Sequence, residues 1–249
     1  MKFIKKATGV AVLASLVMAG TASAETVTML HNQNQPVQQE LWDEFAAEFE
    51  AANPGIEIEM EFMENEQMKA KLPTLLQSKN RPNIFYSWGG GNFAVRAEAG
   101  LLDDISDKSK GLKKILSEGG LSAFSYEDGL YGVPYTLAQV GFWYNKELFA
   151  KAGVNADKIK DWDDFLDAVT KLKAAGITPI ALGGADKWPV HFYWTYLAMR
   201  TGGQDVFNDA VAGKADWNNP AYIKAGEEFA KLVALEPFQP GYAAATYGD

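Results

Sequence analysis

Val27-Thr28-Met29-Leu30-His31-Asn32-Gln33-Asn34-Gln35-Pro36 runs from a short apolar segment into a polar one that closes on a proline. The apolar part predicts a strand, the polar part a loop, and Pro36 suits the first turn of a helix, where its missing N–H costs nothing. Val37, Leu41, Phe45 and Phe49 then recur every four residues, the spacing of one face of an α-helix, up to a break at Asn53-Pro54-Gly55. Beyond it Ile56, Ile58, Met60 and Phe62 alternate with Glu57, Glu59 and Glu61, a period of two that predicts a strand with one wet face. A second helix is expected around Gln67–Ser78, with Met68, Leu72, Leu75 and Leu76 on one side and Pro73 as a kink. After Arg81-Pro82-Asn83, the run Ile84-Phe85-Tyr86-Ser87 reads as a buried strand. The order β-α-β-α-β predicts an α/β layer with parallel strands.

The same reading extends in both directions. Residues 1–24 begin with Lys2, Lys5 and Lys6, pass through the apolar run Ala7–Gly20 and end in Ala22-Ser23-Ala24, the pattern of a secretory signal cleaved after Ala24. That apolar run falls short of the about 20 residues a bilayer-spanning helix needs. The mature chain is therefore expected free in the periplasm. Downstream, Gly89-Gly90-Gly91 turns into a helix near Asn92, and Leu130–Tyr144 is expected to be extended. Asp161 can cap a helix bearing Phe165, Val169 and Leu172 that stops at Ala175-Gly176. Ile177–Leu182 is predicted as a strand, and helices are predicted from about Pro189 to Arg200 and from about Pro220 to Leu235.

Composition narrows the chemistry. Among 249 residues there is no Cys and there are only two His, so disulfides, thiolate zinc sites and multi-histidine metal centres are set aside, and no metal site is expected. After Ala24 acidic residues outnumber basic ones by twelve. Nucleic acid, which selects basic patches, is therefore not expected as a partner. Gly89-Gly90-Gly91 has neither the Walker spacing nor a following Lys-Ser/Thr, and nothing matches GxSxG or HExxH.

Ligands of α/β sheets collect at the carboxyl ends of strands. The candidates there are His31–Gln35, Glu64 with its neighbours, Trp88–Asn92 and, in the later part, Gly183–His191 with Trp188. Neutral amides, a carboxylate and indoles suit a polyhydroxylated ligand, the amides pairing with hydroxyls and the flat rings covering the C–H face of a sugar. Apart from Lys187, these loops have no cation for a phosphate or carboxylate. Trp88 and Trp188 are placed either to contact ligand or to pack inside. His191 is placed to hydrogen-bond a ligand or simply to sit in its lobe, while Trp42, Trp162 and Trp194 are expected in the core. A glycosidase would need two carboxylates facing each other across the scissile bond, and no loop presents a conspicuous pair. The residues favour a binding protein over an enzyme, with a secreted glycoside hydrolase as the alternative.

Gly129-Leu130-Tyr131-Gly132-Val133-Pro134-Tyr135, followed by Gly141-Phe142-Trp143-Tyr144-Asn145-Lys146-Glu147-Leu148-Phe149, resembles a motif pair of the extracellular solute-binding proteins of ABC importers, family 1, the maltose-binding-protein-like group. Arg81-Pro82-Asn83 (Pro-Asp is usual), Gly100-Leu101-Leu102-Asp103, Trp162-Asp163-Asp164-Phe165 and Ala175-Gly176-Ile177-Thr178-Pro179-Ile180 support the resemblance. It implies an α/β, two-lobed periplasmic-binding-protein fold of type II, with residues 25–134 as the N-terminal lobe and 135–249 as the crossover and C-terminal lobe. Members continue well past the position of Tyr247-Gly248-Asp249, so the sequence reads as partial and its second lobe as incomplete. Carried over by position, the cleft residues are Asn32, Gln33, Glu64, Trp88, Gly89, Gln139, Trp188 and His191. The implied function is capture of a mono- or oligosaccharide, in preference to glycerol phosphate, and delivery to the permease subunits of an ABC transporter, by a monomer without cofactor.

Overall fold

The computed structural model describes residues 24–249, so the expected signal segment, apart from its final Ala24, lies outside the described residues. The chain divides into two compact units, one ending at Ser87 and one from Trp88 to Asp249.

The first unit is the predicted β-α-β-α-β succession: β1 (Glu25–His31), α1 (Pro36–Ala52), β2 (Ile56–Phe62), α2 (Asn65–Leu75) and β3 (Ile84–Phe85). The strands form one parallel sheet in the order β2-β1-β3, with His31 opposite Phe62 and Leu30 opposite Phe85. On the edge strand β2 the apolar residues from Ile56 to Met60 are partly covered while the three glutamates stay in water, as the period of two requires. β3 is shorter than expected at its C-terminal end, while just before it Asn83 extends the contact with β1: its N–H donates to the Thr28 carbonyl, and its Oδ1 accepts from Thr28 N and Oγ1, both at 3.0 Å. Since that side chain acts here only as an acceptor, the departure from Pro-Asp changes nothing in the role.

The core of this unit lies around α2. Leu30, Met68, Leu72 and Leu76 are at most 3% exposed. Pro73 sits in the final turn, so the helix runs through it for only two more residues. By contrast α1 has no buried residue; Val37 is 71% exposed and Leu41, Phe45 and Phe49 about half exposed. Its stripe has helical spacing without being a core face. Trp42, expected in the core, is only partly covered and lies edge-on to Phe45 at 6.1 Å.

The second unit comprises α3 (Gly91–Glu98), α4 (Glu118–Ser122), the antiparallel pair β4 (Ser125–Tyr126) and β5 (Gly129–Leu130), then α5 (Lys146–Lys151), α6 (Trp162–Ala174), α7 (Trp188–Val211) and α8 (Pro220–Ala234). Its main core joins α7 to α8: Leu197, Ala198, Ala210, Tyr222 and Ala225, with Trp162, Trp194 and Phe229 packed against them. Trp162 and Trp194 therefore take the core positions expected of them.

Three expectations need correction. Only Gly129–Leu130 of the segment running to Tyr144 pairs as a strand; Leu137, Val140, Phe142 and Trp143 are exposed and belong to no ladder. Ile177–Leu182 keeps one bridge, Ile180 to Phe238. Around Leu182 the neighbour is a side chain: Gln239 Oε1 accepts from Leu182 N (2.9 Å) and its Nε2 donates to Leu182 O (2.8 Å), so one amide replaces a strand residue. Finally, the predicted Pro189–Arg200 helix runs a little further, to the break at Gly203 (φ 81°), and a second helical stretch follows it to Val211.

Candidate functional site

Parallel pairing in register brings all three strands of the first unit to an end on one edge of the sheet. Met63 N–H donates to His31 O and Tyr86 N–H to Leu30 O, so the segments that follow the strands leave side by side. Asn32, Gln33 and Glu64 emerge there together, as the strand-end rule predicts.

Glu64 serves the backbone at this edge. Its Oε2 accepts from the N–H groups of Glu66 (2.8 Å) and Gln67 (3.0 Å), capping α2. The helix start thus fixed presents Asn65, Glu66 and Lys69, three residues the sequence reading had not singled out. Lys69 Nζ reaches Glu66 Oε1 at 2.7 Å, and Asn65 Nδ2 donates to the same oxygen at 2.7 Å. Asn65 Oδ1 accepts from Asn32 Nδ2 (3.0 Å), and Asn32 Oδ1 accepts from Gln33 Nε2 (3.1 Å). Tyr86 hydrogen-bonds Asn32 as well; burial pushes its phenol pKa up and that bond partly offsets the shift, so the group is a neutral hydroxyl at pH 7.

The backbone around Gln33 is equally tied. His31 Nδ1 accepts from Gln33 N at 3.3 Å, and Gln39 Nε2 from α1 donates to Gln33 O at 2.9 Å. His31 is 6% exposed and its pKa is lowered, mainly by burial, with Asp43 opposing. A neutral imidazole with Nδ1 as acceptor fits both facts. The cluster is polar, largely uncharged and pre-arranged, suited to hydroxyl groups.

In the second unit, Trp88 and Gly89 are partly covered, and a Cβ on Gly89 would stand 2.5 Å from the carbonyl oxygen of Ala123. Close approach of its own chain therefore requires glycine there. Trp188 opens α7, with its ring 5.2 Å from Tyr247 and 5.6 Å from Phe192; His191 is exposed, its ring 4.6 Å from Phe192. The loop before Trp188 is fastened by the last residues. Gly184 N–H donates to Tyr242 O, Ala185 N–H to Ala245 O, and Tyr247 N–H to Asp186 Oδ2. A Cβ on Gly183 would lie 2.5 Å from Thr246. Gln139 is exposed in the irregular segment before α5. The structure thus brings Asn32, Gln33 and Glu64 to one edge, and Trp188 and His191 to one helix start. An open depression of about 250 Å3 beside Tyr144, Phe149 and Asp157 contains none of them.

Among the residues missed, Asn65 and Glu66 were within reach, since they directly follow Glu64 at a strand end. Tyr86 was assigned to the strand itself. Tyr242, Tyr247 and Gln239 carry no local signal, because their partners lie about sixty residues away. Among the described residues, no cluster of three or more His, Asp or Glu could hold a metal ion, and no helix is long and apolar enough to cross a membrane.

Parallel βαβ pairing with an amide-rich polar cluster at the carboxyl strand ends is the arrangement of an α/β protein whose ligands gather at its strand ends. Residues 34–248 match the bacterial extracellular solute-binding protein family, and the chain belongs to it. An uncharacterized ABC transporter extracellular-binding protein of Pyrococcus horikoshii is 28% identical over 92% of this chain and 53% of its own length. A probable sugar-binding periplasmic protein of Mesorhizobium japonicum is 31% identical over 55% of this chain and 33% of its own. Among solved structures, one from work on xylan utilization by Caldanaerobius polysaccharolyticus has a TM-score of 0.78 at 28% identity, covering 90% of this chain and 57% of that one. A chitin oligosaccharide binding protein gives 0.77 at 27% identity, covering 89% and 56%. The fold is the type II, maltose-binding-protein-like one that the sequence motifs implied. The chain spans about half the length of the curated relatives it matches.

Proposed function

We propose that this chain is the carbohydrate-capturing component of an ABC importer, which binds a mono- or oligosaccharide and hands it to permease subunits in the membrane. The observation that carries the reading is the uncharged amide cluster of Asn32, Gln33 and Asn65 beside Tyr86, with its hydrogen-bonding groups held in place before any ligand arrives. Relatives named for sugar binding, and neighbours named for xylan use and chitin oligosaccharides, support a carbohydrate over other solutes. Glycerol phosphate would ask for cationic side chains aimed at the ligand, whereas Lys69 is directed at Glu66.

In the same proposal the lobes are residues 25–134 and 135–249. This division differs from the two compact units, which meet at Ser87–Trp88. Trp88, Gly89, Gln139, Trp188 and His191 are offered as further ligand contacts, and ligand touching both lobes would draw the hinge closed, because only shared contacts favour that state. The protein acts as a monomer without cofactor or catalysis, after export and cleavage following Ala24.

Titration calorimetry of the full chain with xylotriose, diacetylchitobiose and raffinose is the direct test. A heat of binding for at least one is expected, and none at millimolar sugar overturns the reading. Trp88→Ala or Trp188→Ala binding like the parent removes that residue from the site. New reducing ends on incubation would make the chain a hydrolase.

A further inference from the structure

Lys187, the residue before α7, has φ 65° and ψ −40°, and Asp186 O accepts the Trp188 N–H across it at 2.7 Å. This is a tight three-residue turn of the hand that crowds any residue with a Cβ, and it persists only where its surroundings hold it. The holders come from far along the chain. Asp186 Oδ2 accepts the Tyr247 N–H at 2.7 Å, Ala185 N–H donates to Ala245 O at 2.9 Å, and Gly184 N–H donates to Tyr242 O at 2.8 Å. Thr246 is fixed in turn by Asp249, whose Oδ2 accepts from Thr246 N (2.7 Å) and Oγ1 (3.0 Å). Residues 242–247 thus lie against the loop as a strap. Their fit leaves no room for a side chain at Gly183, where a Cβ would stand 2.5 Å from the Thr246 carbonyl carbon and from Tyr247 N. The strap brings the Tyr247 ring to 5.2 Å from Trp188, while Phe192 stands edge-on to the same indole at 5.6 Å.

We propose that Asp186 and Tyr247 are positioning residues for Trp188: the strap, fastened through the Asp186 carboxylate, holds the strained turn and so sets where the indole stands toward a sugar. The inference rests on the carbohydrate reading, in which Trp188 is a ligand contact, and deepens it by naming what aims that ring. Aim matters for a flat contact, since a gap of about 0.5–1 Å already forfeits about a quarter to a half of a dispersion attraction. Asp186 joins the two influences on the indole. Its carbonyl closes the turn from which Trp188 leaves, and its carboxylate holds Tyr247, whose ring lies against Trp188. The placement of one aromatic ring therefore depends on a backbone N–H sixty-one residues away from the carboxylate that receives it.

The test compares the full chain with Asp186→Ala, Asp186→Asn and Gly183→Ala in two measurements. Asn keeps an oxygen for the Tyr247 N–H and Ala removes it, while a methyl at Gly183 displaces the strap and leaves Asp186 and Trp188 as they are. In the ligand-free protein, the indole N–H signal of Trp188 in NMR spectra is expected to shift in Asp186→Ala and Gly183→Ala and to return in Asp186→Asn. The signal of Trp194, packed against the α7–α8 core, should stay in place. An unmoved Trp188 signal overturns the proposal, and so does a Trp194 signal that moves as far, because the damage is then general. For the tightest-binding sugar among xylotriose, diacetylchitobiose and raffinose, calorimetry should report binding about tenfold weaker in Asp186→Ala, the size of one aromatic contact, and within about twofold of the parent in Asp186→Asn. Adding Asp186→Ala to Trp188→Ala should weaken binding no further than Trp188→Ala does by itself. Binding unchanged in Asp186→Ala, or an equal loss with and without the indole, overturns the proposal even if the signal shifts. If no sugar binds the parent chain, the carbohydrate reading and the role in binding fall together, while a shifted and rescued Trp188 signal would still support the strap as what places the ring.

Discussion

His31 closes β1 with its ring 6.0 Å from Phe62 and its Nδ1 accepting the Gln33 N–H. Burial holds its pKa below the about 6.5 of a free imidazole, so the folded chain takes up a proton less readily than the unfolded chain. Stability must then be lost as pH falls through that value, since the unfolded state binds more protons there. Thermal midpoints measured between pH 7 and 5 should drop for the parent chain, and drop less for His31→Gln. An equal slope in both would free His31 from that role. Gln239 is a second residue whose effect can be read from its contacts. Gln239→Leu leaves the Leu182 N–H and carbonyl without their partner, at a cost of about 1–3 kcal/mol for each buried polar group left unpaired. With both groups left unpaired, denaturant titration should report a loss of about 2–6 kcal/mol. A near-neutral result would show that water replaces the amide.

At the scale of elements, helix starts were the most legible feature. Asp161 Oδ1 accepts the Asp164 N–H at 2.9 Å, which caps α6, and Asp164 Oδ2 accepts the N–H of Lys160, the residue before the cap, at 2.9 Å. Asp161→Ala should cost about 0.5–2 kcal/mol in chemical denaturation, with little change if α6 is held by packing alone. Helical spacing, by contrast, says that a face exists without saying what covers it. The stripes of α1 and α2 look alike in sequence, yet Leu72 is fully buried and Phe45 is half exposed. Leu72→Ala should therefore cost about 2–5 kcal/mol. Phe45→Ala should cost a fraction of that, because less apolar surface leaves water on folding. Equal costs would mean that α1 is covered in solution. Strands were less legible in the second unit. A β-rich composition at Ile177–Leu182 specifies an extended backbone, but a strand also needs a neighbour to pair with, and here that neighbour is mostly the side chain of Gln239.

For the molecule as a whole, capture of a ligand is a stability effect as well as a binding one. A sugar that binds only the folded chain should raise its stability by about 2.7 kcal/mol at a hundred times its Kd, visible as a shifted thermal midpoint. The shift should vanish for a sugar that gives no heat in calorimetry. Chain coverage bears on the same experiment: this chain matches its structural neighbours over about nine-tenths of itself and rather more than half of them.

Sequence alone determined the parallel β-α-β-α-β unit, most helix starts, the family motifs and the strand-end placement of Asn32, Gln33 and Glu64. All of these depend on residues within a few turns of one another, where spacing, caps and the alternation of polar with apolar side chains act directly. Only the tertiary structure decided which apolar stripe is buried, that Gln239 replaces a strand, and that Asn65, Glu66 and Tyr86 join Asn32 in one network. Those outcomes depend on which distant segment arrives at a given side chain, and a hydrogen bond spanning thirty to sixty residues leaves no periodic trace in the sequence between its ends.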